Sequence, residues 1–249
     1  MIADPLPTVT ILGSPVHLHS DYSQWLRSQL NQKQGLHVVT LNAEMTMQAQ
    51  RNPQLGQAIH NAELVIPDGA GVVLYLKLIG QSLKRQPGIE LAQNLISQLS
   101  PQETVFCYGG KPEVIQQAAR NLRQQYPQLN LSGVYNGYLS DDEHQQLLQE
   151  LDQQQPAVIL VGLGVPRQEL WIQHHRHHCP QAIWIGVGGS FDIWAGVKPR
   201  APKWMGDNHL EWAYRLYQEP WRWRRMLALP HFALKALAEI IFSQGRNST

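Results

Sequence analysis

A carboxylate stands directly before two glycines in the segment Ile66-Pro-Asp-Gly-Ala-Gly71. The apolar residues before Pro67 predict a strand, and parallel α/β sheets place their ligand sites at the carboxyl ends of their strands. Asp68 in that position can accept a proton or bind a hydroxyl group. Gly69 and Gly71 leave open space beside the carboxylate. Because Asp-Gly is also ordinary turn chemistry, the local pattern alone leaves a turn and a catalytic base equally open.

Other glycine-rich turns could face a nucleotide. The segment Gly109-Gly-Lys111 feeds a helix beginning at Pro112, and its free amides could bind a diphosphate. The segment Gly186-Val-Gly-Gly-Ser-Phe191 begins like a dinucleotide fingerprint, but Phe191 stands where the third small residue belongs. The pattern therefore disfavours NAD as a cofactor.

A second polar pair follows a predicted strand, at the start of a helix. Pro166 suits the first turn of that helix, which places Gln168 and Glu169 at its N-terminus. The helix dipole accounts for a glutamate there, so Glu169 alone indicates little. Gln168 is harder to explain by local structure, which makes it a candidate site residue.

Metal-binding patterns have simpler explanations. Four histidines between His174 and His178 have helical spacing, but no carboxylate or cysteine completes a ligand set, which favours exposed histidines on a polar helix end. Ser140 and Glu143 form the spacing of a helix capping box, which accounts for the acidic run between them. We therefore expect no metal and no resident cofactor.

The elements that position these residues alternate between strands and helices, which predicts βαβ units and a largely parallel sheet with a Rossmann-like α/β architecture. Predicted strands are Thr8–Leu12, His37–Leu41, Leu64–Ile66, Thr104–Tyr108, Leu129–Tyr135, Ala157–Val161 and Ala182–Val187. Predicted helices are Ser23–Gln32, Pro53–Ala62, Ile89–Leu99, Pro112–Gln124, Asp141–Gln154 and Gln168–His178. Residues 1–203 are expected to form this core.

Residues 204–249 have a different character and are predicted to be a helical appendage broken at Pro220 and Pro230. Tryptophans alternate there with arginines, as in Trp221-Arg-Trp-Arg-Arg225. Arginines bind phosphates in bidentate fashion, and tryptophans beside basic residues suit a membrane surface. A solvated basic helix whose tryptophans cover the core is an equally simple interpretation.

Bulk composition narrows the function classes. The 249 residues are 43% hydrophobic with a net charge of +1, which fits a globular protein and argues against broad nucleic-acid binding. Two isolated cysteines, Cys107 and Cys179, favour a reducing cytoplasm. The N-terminus lacks the pattern of a signal peptide, and no apolar run reaches the roughly 18 residues of a membrane span.

Taken in order, the motifs resemble the WecG/TagA/CpsF glycosyltransferase family from about Val38 to Arg225. The motifs that carry the resemblance are Thr40-Leu-Asn42, Ile66-Pro-Asp-Gly-Ala-Gly71, Arg85-Gln-Pro-Gly88, Gly109-Gly-Lys111, Gly137-Tyr138, Val161-Gly-Leu-Gly-Val-Pro-Arg-Gln-Glu169, Gly186-Val-Gly-Gly189, Phe191-Asp192, Arg200-Ala-Pro202 and Glu211-Trp212. Glu90 stands where many relatives have Asp, a change that keeps the charge.

The resemblance implies an inverting transfer of N-acetylmannosamine or a related sugar. The donor would be a UDP-sugar, and the acceptor a polyprenyl-diphosphate-linked sugar at the inner face of the plasma membrane, in cell-surface polysaccharide synthesis. The protein would be a peripheral cytoplasmic enzyme, and the appendage would close the active site and contact the membrane. The sequence leaves a homo-oligomer open, and also leaves open a non-catalytic sugar-nucleotide-binding protein of the same fold.

The resemblance also assigns roles to single residues. Asp68 matches the family's candidate base, Gln168 lies near the sugar, and Asp192 contacts the base end of the nucleotide. Thr40 and Asn42 line the same cleft. Cations for the leaving diphosphate come from Arg85, Arg215, Arg222 and Arg225. The remaining expected substrate-binding residues are Gly69, Gly109, Gly110, Gly137, Tyr138 and Gly164.

Overall fold

The fold was derived from a computed structural model, which describes residues 6–208 and 210–246, without the side chains of Lys203, Asp207, Arg222 and residues 243–246. Its centre is a six-stranded sheet in which every neighbouring pair is parallel, in the order β4-β3-β8-β7-β5-β6. These strands are β3 (Leu36–Leu41), β4 (Leu64–Pro67), β5 (Val105–Gly109), β6 (Leu131–Tyr135), β7 (Val158–Gly162) and β8 (Ile183–Gly186). The predicted Rossmann-like α/β class is confirmed.

The first strand lies apart from this sheet. Strand β1 (Thr8–Ile11) pairs antiparallel with β2 (Ser14–His17), and the two form a separate hairpin. Only the first of these strands was predicted from the sequence. Ser14–His17 contains Pro15. Because proline cannot donate a backbone hydrogen bond, its presence in a short segment argues against a strand inside a sheet and favours an edge strand or a turn.

Helices cover both faces of the sheet. They are α1 (Tyr22–Asn31), α2 (Ala43–Ala49), α3 (Pro53–His60), α4 (Ala70–Leu78), α5 (Gly88–Ser97), α6 (Pro112–Gln125), α7 (Asp141–Gln154), α8 (Arg167–His175) and α9 (Ser190–Trp194). The C-terminal helices are α10 (Lys203–Asp207), α11 (Glu211–Gln218), α12 (Trp223–Met226) and α13 (Ala228–Arg246), and two 3₁₀ turns span Arg176–His178 and Pro220–Arg222. No helix among the described residues is long and apolar enough to cross a membrane.

Short local signals set many helix starts. Asn42 and Asn52 accept hydrogen bonds from backbone amides of α2 and α3, and Ser140 with Glu143 forms the predicted capping box of α7. Helix α2 was not predicted, although Asn42 is its cap. Only seven residues separate Asn42 from the end of that helix, which is too few for a clear apolar period.

Alternate side chains of the central strands point to opposite faces and fill separate apolar clusters. Val38, Ile66 and Leu160 pack with α1, α5 and α6, whereas Val39 and Val65 pack with α2 and α4. Strands β3, β4 and β8 are buried along their whole length, as expected for a parallel sheet covered on both faces. Because the strands are packed on both faces, the positions of the side chains at the strand ends are fixed.

The last helix belongs to one of these clusters. Phe232, Ala236 and Ile240 of α13 are buried against α2 and the strands, at the i, i+4, i+8 spacing of one helix face. Glu239, on the same helix, accepts hydrogen bonds from Leu12 N and from the Tyr75 hydroxyl. The expected break at Pro230 is wrong: this residue lies in the first turn of α13, where a missing N–H costs nothing.

Candidate active site

Asp68 lies beside Asn42 because the two strands that carry them are paired in register. Leu41 is the partner of Pro67 in the β3–β4 ladder, so the next residue of each strand comes to the same place. Asp68 N donates to Leu41 O at 3.0 Å, and Gly69 N donates to the same oxygen at 3.2 Å. A Cβ on Gly69 would lie 2.7 Å from Asn42 Cβ, so the close approach of the two strand ends requires glycine there.

The start of α5 closes over the same corner. A Cβ on Gly88 would lie 2.7 Å from Thr40 Cγ2, and Gln86 N donates to Pro67 O at 3.0 Å. The Gly88 backbone N–H also donates to the Asp68 carboxylate. The N-terminus of a helix favours negative charge, so α5 supports the ionised form of this aspartate.

Two arginines and one glutamate surround Asp68. Arg85 Nη2 donates to Glu211 Oε2 at 2.5 Å, and the second carboxylate oxygen of Glu211 accepts from Arg215. The side chains of Arg85 and Glu211 are only 12% and 14% exposed, so this pair is largely shielded from water. It joins the loop 80–87 to α11, which belongs to the C-terminal appendage.

The charge balance at Asp68 suits a base. Burial raises the pKa of Asp68 from 3.8 to about 6, and the nearby Arg215 and Arg85 guanidiniums oppose that shift. Glu211 raises the pKa further, and the Gly88 amide lowers it. A carboxyl group with a pKa near 6 is mostly ionised at neutral pH and is a stronger proton acceptor than an ordinary aspartate.

A second group of site residues lies at the ends of β5, β6 and β7. Gly109 has a φ of +137°, and a Cβ there would lie 2.4 Å from Gly162 O. Gly110 N donates to Gly162 O at 3.2 Å, and Gly137 N donates to Gly110 O at 2.8 Å. The three turns are thereby held together. The neighbouring Tyr138 is exposed.

These turns lie where the chain leaves the sheet in opposite directions. After β5 the chain continues to the edge strand β6, whereas after β7 it continues to β8 on the other side. Parallel α/β sheets bind ligands in the crevice that such diverging connections create. Three strand spacings separate β4, which carries Asp68, from β7, a distance of about 14 Å.

Gln168 is buried and fully engaged. Its Oε1 accepts from Gly164 N at 3.2 Å and from Gly188 N at 3.1 Å, and its Nε2 donates to Glu169 Oε1 at 2.8 Å. Glu169 in turn contacts the buried His37 Nε2 at 2.7 Å. Gln168 therefore links the turn after β7, where Gly164 has a φ of +75°, to the turn after β8.

The other predicted site residues lie around these two groups. Asp192 contacts Lys198 Nζ at 2.8 Å, and Arg225 Nε lies 2.9 Å from Oε1 of Glu44, in the first turn of α2. Thr40 donates to Gly186 O at 3.3 Å. The expectation for Arg222 falls on a side chain outside the described part of the structure.

Glu211 belongs to the Glu211-Trp212 motif but was not predicted to be a site residue. Its i, i+4 spacing from Arg215 was the available signal, since such pairs are neighbours on a helix surface. Its contact with Arg85, 126 positions away in the chain, had no local signal.

The histidines of α8 and the following turn form a separate cluster with His144. His178 Nδ1 lies 2.8 Å from Asp152 Oδ1, and His144 Nε2 accepts from the Trp171 indole at 2.9 Å. Among the described residues, no group of three or more His, Cys, Asp or Glu is arranged to hold a metal. Cys107 and Cys179 are buried free thiols.

Comparison with known proteins agrees with this geometry. The chain matches the glycosyl transferase WecG/TagA/CpsF family over residues 9–246. A Bacillus spizizenii (strain ATCC 23059 / NRRL B-14472 / W23) protein is 35% identical over 223 residues, covering 89% of this chain and 83% of the relative. A Bacillus subtilis (strain 168) protein is 32% identical over 241 residues, covering 96% and 93%.

Both relatives are named N-acetylglucosaminyldiphosphoundecaprenol N-acetyl-beta-D-mannosaminyltransferase. The family match extends over almost the whole chain, from the first hairpin to α13. The resemblance found in the sequence motifs is confirmed. This chain belongs to the WecG/TagA/CpsF family of glycosyltransferases.

Proposed function

We propose that this glycosyltransferase moves N-acetylmannosamine from a UDP-linked donor to a polyprenyl-diphosphate-linked N-acetylglucosamine, with inversion at the anomeric carbon. The observation that carries the proposal is Asp68, held at a strand end between Arg85 and Arg215 with a pKa raised to about 6. The names of the two relatives support the acceptor and the sugar.

Asp68 is the general base. Its carboxylate takes the proton from the attacking hydroxyl of the acceptor sugar while that oxygen forms a bond to the anomeric carbon and UDP leaves. Inversion requires one such base, on the face of the sugar opposite the leaving group. The Gly88 amide and the two guanidiniums hold the carboxylate ionised, and Gly69 lets the strand end that carries Asp68 lie close to Asn42.

The donor lies along the carboxyl edge of the sheet. Its diphosphate contacts the turns at Gly109 and Gly110, where the N-terminus of α6 favours an anion. Asp192, at the start of α9, binds the base end of the nucleotide. The separation of about 14 Å between β4 and β7 leaves room for a sugar nucleotide to reach Asp68.

Arginines supply the charge that the leaving diphosphate needs. Arg85 and Arg215 already face Asp68, and Arg225 contacts Glu44 in the first turn of α2. Positive groups fixed where negative charge develops stabilise the transition state without reorganising. We expect the reaction to need neither a metal ion nor a resident cofactor.

Gln168 acts by positioning. Because both of its amide atoms are occupied, it sets the geometry of the turns at Gly164 and Gly188 that border the donor crevice. Its buried contact with Glu169 keeps the amide in one orientation. Replacement by Ala would remove these hydrogen bonds and loosen both turns.

The appendage also docks on the cytoplasmic face of the membrane, where a lipid-linked acceptor is presented. Trp221 and Trp223 are 71% and 53% exposed, and Arg224 lies over the Trp223 ring. Leu234 and Ile241 are exposed on the side of α13 away from its buried face. Basic and apolar groups together give reversible binding to an anionic surface.

Product analysis tests this function. Purified protein would be incubated with a panel of UDP-sugars and N-acetylglucosaminyl diphosphate on a lipid, and products identified by mass spectrometry. We expect a mass increase of one N-acetylhexosamine from UDP-N-acetylmannosamine, and NMR of the product should show the inverted anomeric configuration. Binding of UDP-sugar without any transfer would instead favour a non-catalytic sugar-nucleotide-binding protein.

A further inference from the structure

A cavity of about 850 Å³ lies between α4, the loop 80–87 and the appendage. Its volume is within the usual range for small-molecule sites, roughly 300–1,000 Å³. The charged residues that line it are Lys77, Lys84, Arg85, Arg200, Glu90 and Glu211. Arg85 and Glu211 also surround Asp68, so the cavity adjoins the proposed base.

The charges in this cavity are not balanced. Glu211 is bound by Arg85, and Glu90 is bound by Arg200. Neither Lys77 nor Lys84 has a carboxylate partner within the part of the chain that the structure describes, and both side chains are exposed. The cavity therefore carries two ammonium groups free to bind an anion.

The cavity is also separate from the turns assigned to the donor. Its walls come from segments that follow β4, from Arg200 and Ala201 in the loop after α9, and from the appendage, whereas the donor turns follow β5 and β7. Helix α4 begins two residues after Asp68, and Lys77 lies about 10 Å along its axis from Ala70. Helix α4 thus joins Lys77 directly to the strand end that carries Asp68.

The exposed side of α4 carries two leucines beside Lys77. Leu74 and Leu78 are 59% and 52% exposed, and they flank Lys77 in the sequence. A ligand that joins an anionic group to a hydrocarbon chain would satisfy both features of this helix. The lysines would bind the anion, and the leucines would contact the chain.

We propose that this cavity binds the diphosphate of the lipid-linked acceptor through Lys77 and Lys84, with the first isoprene units along Leu74 and Leu78. The inference rests on the proposed function for the identity of the acceptor. It places the acceptor sugar between the cavity and Asp68, and it assigns the acceptor diphosphate to two lysines that have no role in donor binding.

The test compares Lys77→Gln/Lys84→Gln with the intact protein, using N-acetylglucosaminyl diphosphate on a short isoprenoid chain as the acceptor. Hydrogen bonds to charged groups contribute enough that we expect the acceptor KM to rise by about tenfold or more. The donor KM and the kcat at saturating acceptor should not change. Lys77→Arg/Lys84→Arg should restore much of the affinity, and Lys33→Gln, on a distant exposed loop, serves as the matched control.

An unchanged acceptor KM in the double variant would overturn the proposal, as would an increase confined to the donor KM. Calorimetric binding of the same acceptor without donor gives a second measurement that needs no transfer. If the intact protein binds the acceptor but transfers nothing, the proposed function fails, while the loss of binding in the variant still supports the cavity. The single variant Lys84→Gln leaves α4 unchanged, so an increase in its acceptor KM could not be caused by misfolding of that helix.

Discussion

Arg85 donates a hydrogen bond to Glu211 across 2.5 Å, and this contact fastens the C-terminal helices to the loop beside Asp68. Glu211 also binds Arg215, so one carboxylate holds two guanidiniums next to the proposed base. The appendage is therefore part of the proposed active site. An acidic residue between the arginines keeps them from lowering the pKa of Asp68 as far as they otherwise would.

The fall of kcat/KM at low pH, the acid limb of the pH–rate profile, should depend on the charges of Arg85 and Glu211 beside Asp68. Burial raises the pKa of Asp68 to about 6, and only the ionised carboxylate can act as a base, so kcat/KM should fall as the pH falls through about 6. Glu211→Gln removes a negative charge and should move the limb to lower pH. Arg85→Gln removes a positive charge and should move it to higher pH.

The two variants are compared with Asp141→Asn, an exposed change on α7 that should leave the profile unchanged. Opposite movements separate an electrostatic role from simple loss of structure, which would lower activity without displacing the limb. Limbs that stay in place, or that move in the same direction, would contradict the charge balance described for Asp68.

Much of this arrangement was readable from the sequence. The apolar strands alternate with amphipathic helices. Asp68 and Gly164 follow strands and Gly109 ends one, which in a parallel sheet brings the three residues to one edge. Helix α2 was missed because it is short. The break predicted at Pro230 was wrong because a proline is tolerated in the first turn of a helix, and Pro230 lies in the first turn of α13.

Contacts across long sequence separations could not be predicted in this way. The pairing of Arg85 with Glu211 depends on how α11 folds back over the sheet, which no local pattern encodes. The hydrogen bonds of Gln168 likewise depend on the meeting of two turns that follow different strands. Motif order identified the family, whereas tertiary packing determined what each side chain touches.

Chelation should leave transfer nearly unchanged. The cations proposed for the leaving diphosphate are Arg85, Arg215 and Arg225, whose charge does not depend on a bound ion. Initial rates measured with and without excess EDTA should therefore agree. If EDTA abolishes transfer and Mg²⁺ or Mn²⁺ restores it, the arginines are not sufficient, and the chemistry assigned to this site is wrong.

Vesicle binding should depend on the exposed tryptophans of the appendage. Trp221→Ser/Trp223→Ser should weaken flotation with anionic vesicles. High salt should weaken vesicle binding by the intact protein, because each basic residue near the membrane surface contributes about 1 kcal/mol to binding. Neutral vesicles are the control. Equal binding by the variant and the intact protein would refute the docking surface. Point variants are preferable to truncation, since α13 carries the buried Phe232 and Ala236.

The histidine cluster should make stability depend on pH. Burial and the neighbouring His144, His178, His174 and His177 lower the pKa of His175 from 6.5 to about 4. Its contribution to stability is complete above about pH 6.5 and is lost as the pH falls towards 4, because the unfolded chain takes up the proton first.

His175→Phe keeps a ring in place and cannot titrate. After allowance for solvent screening, we expect it to recover roughly 1–2 kcal/mol of the acid-induced loss in the free energy of unfolding. Urea unfolding at pH 7 and pH 4.5 measures the difference. A variant that loses as much stability as the intact protein between these pH values would show that His175 is not the group responsible.

The central claim is that Asp68 removes the proton from the acceptor hydroxyl, and the direct test is the transfer rate of Asp68→Asn beside its affinity for UDP. The amide keeps the shape of the side chain but cannot take a proton, so kcat should fall by about 10²–10⁴-fold. UDP binding and the melting temperature should stay close to those of the intact protein. Near-normal turnover in this variant would contradict the assignment of Asp68 as the base.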